Sequence, residues 1–279
     1  MKKALTYEQI MQLEEVDEVK INLPVLFCDG LSPNQVLTAM QKTGAEHIIQ
    51  QSNINYDTEI QVPAVMQSRT QVFSQFPLCS IFGYQNADEK QEQRLTELSF
   101  LISDVEEKRN LLNAIESYVS SISASRSFAT NVVFVADELM TNALYNAPFV
   151  GERDSTWGGF PRNHESIVLD PQKRPHIFLG RDQGRLILGC RDFYGSLDIK
   201  KYISRIHECY SLDADQALRH GAGGAGVGAY MVFNSCTSVY LAVQKGESTL
   251  VCCSFPYGVS EKQTETMAKN IHCLEKNNS

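Results

Sequence analysis

A chain of 279 residues can bury a sizeable core with room for a smaller appendage, and its 43% hydrophobic and 21% charged residues are ordinary for a globular protein. The net charge of −8 argues against a nucleic-acid binder that works by neutralising phosphates, and no apolar run is long enough to span a membrane. Tyr7, Glu8 and Gln9 interrupt any signal-peptide core behind Met1-Lys2-Lys3, so the expected location is cytoplasmic.

In chain order, residues 1–85 read as a small α/β segment. Val19–Cys28 is strand-like, Ser32-Pro33 starts a helix to Lys42, and Glu46–Gln50 forms a second short strand. Asn53–Gln61 is polar and reads as a loop; Pro63–Phe76 reads as a helix leading to the turn around Pro77 and Gly83. This order resembles the later half of a receiver domain, but it offers no acidic cluster with a phosphorylatable aspartate, and a partner-binding module is the preferred reading. Asn86–Ser125 is helical in pattern: Leu95, Leu98, Ile102 and Val105, then Leu112, Ile115, Val119 and Ile122, step by three and four. That stripe is either core or the seam of a homodimer, with core preferred.

Val132–Pro148 (VVFVADELMTNALYNAP) is the stretch around which the chain is organised. As a helix it places Val132, Val135, Ala136, Leu139, Met140, Ala143 and Ala147 on one broad face, with Glu138, Asn142 and Asn146 in a polar row beside it. Asparagine is a poor interior helix residue, so two of them aligned with a glutamate ask for a reason. An ordinary amphipathic helix satisfies the pattern. So does a site in which the carboxylate activates a nucleophile and an amide oxygen binds a hard cation.

Phe149–Arg174 is rich in Gly, Pro and charge and too long for a simple connection. Pro175–Arg181 and Arg185–Cys190 are strands joined by Asp182-Gln183-Gly184, a hairpin that runs directly into Arg191-Asp192-Phe193-Tyr194-Gly195. A second hairpin pairs Ser238–Gln244 with Thr249–Phe255, and Ser260 caps a last amphipathic helix reaching to about Leu274. The eight cysteines form no Cys-x-x-Cys pair and read as reduced, buried small hydrophobes.

Five glycines fall in the eight residues 221–228, at the head of an apolar helix. Backbone N–H groups there are free to face an anion and the helix dipole adds to the attraction, which favours a phosphate cradle over a flexible hinge. No lysine follows, so this is not a P-loop. Gly224-x-Gly226-x-x-Ala229 fits a dinucleotide-binding turn, but a polar helical stretch precedes it instead of a buried parallel strand.

Taken in order, ADELMTNA (136–143), the strand ending in Asp192 and Gly195, and Gly224-x-Gly226-x-Gly228 resemble the N, G1 and G2 boxes of the GHKL, or histidine-kinase-like, ATPases. The resemblance covers roughly residues 86–260. It implies a two-layer α/β (α+β) sandwich for a domain at 86–279, with a mixed, mostly antiparallel sheet and helices on one face, beside the small 1–85 segment. It further implies ATP and Mg2+ as cofactors. Glu138 would then be the catalytic base and Asn142 the magnesium ligand, with Asn146 in the same nucleotide-binding row. Asp192 would accept from the adenine amino group, supported by Thr249, and Gly195 would give the base room. Gly224, Gly226 and Gly228 would lie under the phosphates, and residues 196–223 would form a lid with Arg219 a candidate phosphate partner. The usual Asp-x-Gly-x-Gly turn is altered, since Phe193 and Tyr194 separate Asp192 from Gly195 and Ser196 follows. That departure bears on turnover more than on adenine binding.

Residues 86–125 hold no phosphoacceptor histidine, and a transducer domain like that of the gyrase-like members has no room after Phe255. The compact form resembles the anti-sigma-factor serine kinases of partner-switching systems. Their partners would be a sigma factor or an anti-anti-sigma-like protein, with no nucleic acid and no membrane involved. A docking module of the same fold, gated by nucleotide without phosphotransfer, is the alternative.

Overall fold

A computed structural model describes residues 5–12, 24–68, 70–84, 87–123, 125–149, 169–182, 184–211, 227–257 and 259–277. In chain order the elements are α1 (Tyr7–Met11), β1 (Val25–Cys28), α2 (Pro33–Thr43), β2 (His47–Gln50), α3 (Tyr56–Glu59), α4 (Val62–Ser68), α5 (Thr70–Gln75), α6 (Pro77–Ile81), α7 (Glu89–Leu95) and β3 (Thr96–Leu101). Then come α8 (Val105–Ile122), α9 (Arg126–Thr141), β4 (His176–Arg181), β5 (Arg185–Asp192), α10 (Ile199–Ser211), α11 (Val227–Ser235), β6 (Ser238–Gln244), β7 (Ser248–Pro256), α12 (Glu261–Thr266) and β8 (Asn270–Lys276).

Capping chemistry sets several helix starts. Ser32 and Ser260 form capping boxes with Gln35 and Gln263, while Asp88, Asp104 and Ser125 each accept from the backbone N–H three residues on. Gly44, at φ 65°, ends α2 in the left-handed conformation.

Among the described residues the strands form one mixed eight-stranded sheet in the order β1-β2-β8-β6-β7-β5-β4-β3. Pairing is parallel at β1–β2 and β6–β8 and antiparallel elsewhere, so the mixed, mostly antiparallel sheet of the sequence expectation is present. β2 of the N-terminal segment pairs with β8 of the C-terminal one, which makes the sheet continuous across both parts of the chain.

Alternation along the strands divides the core into two clusters. Ile177, Leu179, Leu188, Val239, Leu241 and Phe255 face one cluster, shared with α2, α8, α9, α10 and α11. Phe178, Ile187, Tyr240, Leu250 and Cys252 face the other, covered by Val62, Met66, Phe73, Leu78, Ile81 and Leu95. Helices therefore cover both faces, not one. The second covering comes from α4–α7, of which sequence reasoning sets α4–α6 apart with the N-terminal segment and places α7 in the 86–279 domain. Ile115 and Val119 of the α8 stripe are buried in the first cluster, against α9.

Two stretches read as helix are strands. Thr96–Leu101 pairs with β4, and Asn270–Lys276 fills the slot between β2 and β6. In both, apolar residues three and four apart imitate a helical stripe, a known ambiguity of short apolar runs. Pro63–Phe76, expected as a helix, is helical over Val62–Ser68 and Thr70–Gln75, and the polar stretch 53–61 contains α3.

α3 delivers a fully buried Glu59 to the second face. Its Oε1 accepts from Tyr240 OH at 2.6 Å and Ser238 Oγ at 2.8 Å, with Arg185 Nη1 at 3.5 Å; its Oε2 meets His272 Nε2 at 2.8 Å. Burial alone would raise this carboxyl, but the hydrogen bond and charge of His272, then the Arg185 guanidinium, hold it below the usual range. His47 lies beside the network, its ring 5.4 Å from His272, and neither of its ring nitrogens has a partner among the described residues. Lys269, also fully buried, donates to the carbonyls of Asn234, Cys236 and Thr264 and so fastens the end of α11 to α12.

Candidate functional site

Cys190 and Asp192 are two residues apart on β5 and project from one face of the sheet, and the antiparallel register sets Val251 and Thr249 of β7 opposite them. These four side chains line a cavity of about 350 Å³ between the sheet and α9, α10 and α11, a size suited to a small ligand. α9 and the turn after it supply Glu138, Leu139, Asn142, Ala143, Asn146 and Ala147; Ser196, Leu197, Asp198, Lys201, Tyr202 and Arg205 come from the segment leading into α10 and from α10 itself.

The apolar face of α9 is the one the sequence marks. Val132, Val135, Ala136, Leu139, Met140, Ala143 and Ala147 are all buried, and fully burying a residue such as Val or Leu is worth about 1.5–3 kcal/mol. The helix begins earlier than expected, at Arg126, and does not end as an ordinary α-helix. Asn142–Asn146 form a π turn in which the Ala147 N–H reaches Asn142 O, a feature that recurs at functional sites. The polar row becomes a ladder: Asn142 Nδ2 donates to Glu138 Oε1 at 3.1 Å, and Asn146 Nδ2 donates to Asn142 Oδ1.

Asp192 is 8% exposed. Its Oδ1 accepts from the Tyr194 N–H at 2.9 Å and the Gly195 N–H at 3.4 Å, which turns the chain off the strand. Burial pushes its carboxyl above the usual range, and the Tyr194 N–H offsets part of that. Thr249 Oγ1 lies close enough to influence this carboxyl yet makes no hydrogen bond of good geometry among the described residues. A buried hydroxyl left unpaired costs ~1–3 kcal/mol. A ligand or water joining Thr249 to Asp192 therefore fits the cavity floor.

Gly195 follows in the turn, at φ 59°. A Cβ there would lie 1.9 Å from Gln244 O and 2.7 Å from the Gly246 and Glu247 nitrogens, so the close approach it permits is to the β6–β7 turn. Gly228, near the head of α11, packs against the catalytic candidate: a Cβ there would stand 2.1 Å from Glu138 Oε1 and 2.2 Å from its Cδ. Gly224, Gly226 and Arg219 lie outside the described residues, as does most of the 149–174 excursion.

The structure thus brings Glu138, Asn142, Asn146, Asp192 and Thr249 to one cavity, with Gly228 against Glu138. Sequence reasoning treats 196–223 as one lid and passes over Lys201, Tyr202 and Arg205. The signal was present in Ile199-Lys200-Lys201-Tyr202-Ile203-Ser204-Arg205-Ile206, where cations four apart flank an apolar stripe. Asn142 Oδ1 accepts once and, as a carbonyl oxygen, keeps a second lone pair. Among the described residues no three His, Cys, Asp or Glu side chains gather to hold a metal alone. The Asn142 amide oxygen is a hard donor of the kind Mg2+ accepts. Among the described residues no helix is long and apolar enough to cross a membrane.

No known family model matches the chain, and no curated protein matches it. Among solved structures, one described as the SiaB–SiaC complex from Pseudomonas aeruginosa is similar over 66% of this chain and 99% of that chain, with 14% sequence identity and a TM-score of 0.42.

Proposed function

We propose that this chain is an adenine-nucleotide-binding signalling protein of the histidine-kinase-like ATPase type, acting with Mg-ATP as a serine/threonine kinase on a protein partner in the manner of the anti-sigma-factor switches. What carries the proposal is a single cavity with two chemically different ends. Its floor joins a buried acid and the neighbouring buried Thr249 hydroxyl to apolar Cys190 and Val251, and its walls hold the Glu138–Asn142–Asn146 ladder with two cations. The packing of α8–α11 on one face of a mostly antiparallel sheet agrees with the expected helical layer, while α4–α7 add a second covering on the other face.

In this account Asp192 accepts from the adenine exocyclic amine while Leu139, Ala143, Ala147 and Leu197 enclose the base. Guanine presents a carbonyl at that place and would leave a buried acceptor unpaired. Asn142 offers its amide oxygen to Mg2+, which when bound offsets charge on the phosphates. Glu138, steadied by the Asn142 amide, takes the proton from the acceptor hydroxyl. The kinase branch is favoured over the autokinases because residues 86–125 contain no histidine. The same pocket without phosphotransfer would make a nucleotide-gated docking module.

The test is a pair of substitutions. Glu138→Ala should leave Mg-ATP binding nearly intact and lower phosphotransfer or hydrolysis ~10²–10⁴-fold. Asn142→Ala should lose the magnesium-dependent part of ATP affinity. Small shifts in stability with no change in nucleotide behaviour would contradict the proposal. A wild type that binds ATP but phosphorylates no candidate partner leaves the docking module.

A further inference from the structure

We infer that Lys201 and Arg205 of α10 are the polyphosphate-binding cations of this cavity, so that the site selects nucleoside di- and triphosphates over nucleosides; this rests on the nucleotide-binding proposal above. The two residues are four apart on one helix, hence one turn apart on one face, and both line the cavity. Among the described residues, the remaining charged ones of that lining are Glu138, Asp192 and Asp198, all acids. In a chain of net charge −8, an anionic tail entering this space meets repulsion unless a cation offsets it. Among the described residues of the lining, Lys201 and Arg205 supply that charge. A P-loop lysine is absent, since Ala229 and Tyr230 follow Gly228.

α10 is also fixed in position. Ile199, Ile203 and Ile206 are buried in the core, and another side of the helix docks on α2 through Thr38 Oγ1 and His207 Nε2 at 3.2 Å and Gln41 Nε2 to Ser204 Oγ at 3.5 Å. The cations are thus presented on a packed element, which lowers the ordering cost of binding. Arg205 Nη1 sits 3.5 Å from Glu208 Oε2, an exposed pair of the weak surface kind that an ionised phosphate readily displaces. The fork of Arg205 suits paired phosphate oxygens and Lys201 acts as a point charge.

The experiment is calorimetric titration of the full chain with Mg-ATP and with adenosine, for wild type, Lys201→Gln, Arg205→Gln and the control Lys262→Gln at an exposed site on α12. Urea unfolding of each variant establishes that it is folded. Each cavity variant should bind Mg-ATP about tenfold or more weakly, with a shallower dependence on salt, while adenosine affinity stays within about twofold. Lys262→Gln should match wild type. Equal losses for ATP and adenosine would reduce α10 to a structural role and overturn the inference, as would ATP affinity unchanged in both variants. If wild type binds neither ligand, the nucleotide proposal falls together with this one.

Discussion

Replacing Gly228 with alanine tests the apposition of α11 and Glu138 with a single methyl group. The new Cβ would stand 2.1 Å from Glu138 Oε1, whereas ordinary contact begins at 3.4 Å, so the carboxylate must retreat by the difference, about 1.3 Å. The obstacle is the free end of a side chain, which the fold can accommodate. Alanine in place of a helical glycine gains up to about 1 kcal/mol, and a weakened Asn142–Glu138 hydrogen bond gives back about 0.5–1.5 kcal/mol. Stability from urea unfolding should therefore stay within about 1 kcal/mol of wild type. A reacting group misplaced by about 1 Å costs on the order of 10²-fold in rate. Turnover at saturating Mg-ATP should fall by about that factor, with ATP affinity within about threefold of wild type. Wild-type turnover in a folded Gly228→Ala protein would refute both the contact and the base role of Glu138.

The buried network on the other face yields two stability predictions. Glu59→Leu leaves Ser238, Tyr240 and His272 without their buried acceptor and the Arg185 guanidinium with Asp182 alone as a carboxylate neighbour among the described residues, and unfolding should cost about 3–5 kcal/mol less; adding Arg185→Met should restore part of that, and no recovery in the double variant would show that the pair is not coupled. His47 is held near pKa 3 by burial, with the charge of His272 acting the same way, against about 6.5 in the unfolded chain. The unfolded chain thus takes up the proton first, and stability is lost as pH falls from about 6.5 towards 3. His47→Leu should flatten that limb and raise the midpoint at neutral pH, because two partnerless ring nitrogens are removed; an unchanged acid limb would count against the assignment.

The parts of the fold written in local pattern were legible. The Val132–Ala147 face and the two hairpins follow from periodicity and turn residues, whereas Asp192 and Thr249 are brought together by the pairing of β5 with β7, which joins one hairpin to the other. What was not legible depends on partners distant in sequence. Nothing near Glu59 announces that Ser238, Tyr240 and His272 will surround it, so a polar stretch reads as a loop. β3 and β8 owe their state to the strands beside them, while their own apolar spacing imitates a helix. The π turn at Asn142–Asn146 changes which side chains meet without changing the pattern that names the helix. The cations of α10 were visible as residues, but their role appears only once the helix lies across the cavity.

The central claim, that this cavity reads adenine through Asp192, is tested most directly by calorimetric titration with Mg-ATP and Mg-GTP of wild type and Asp192→Asn. The account predicts saturable binding of ATP, far weaker binding of GTP, and a loss of about 1–3 kcal/mol in ATP affinity in the variant. Equal affinity for the two nucleotides together with no effect of Asp192→Asn, or no ATP binding by folded wild type, would contradict it.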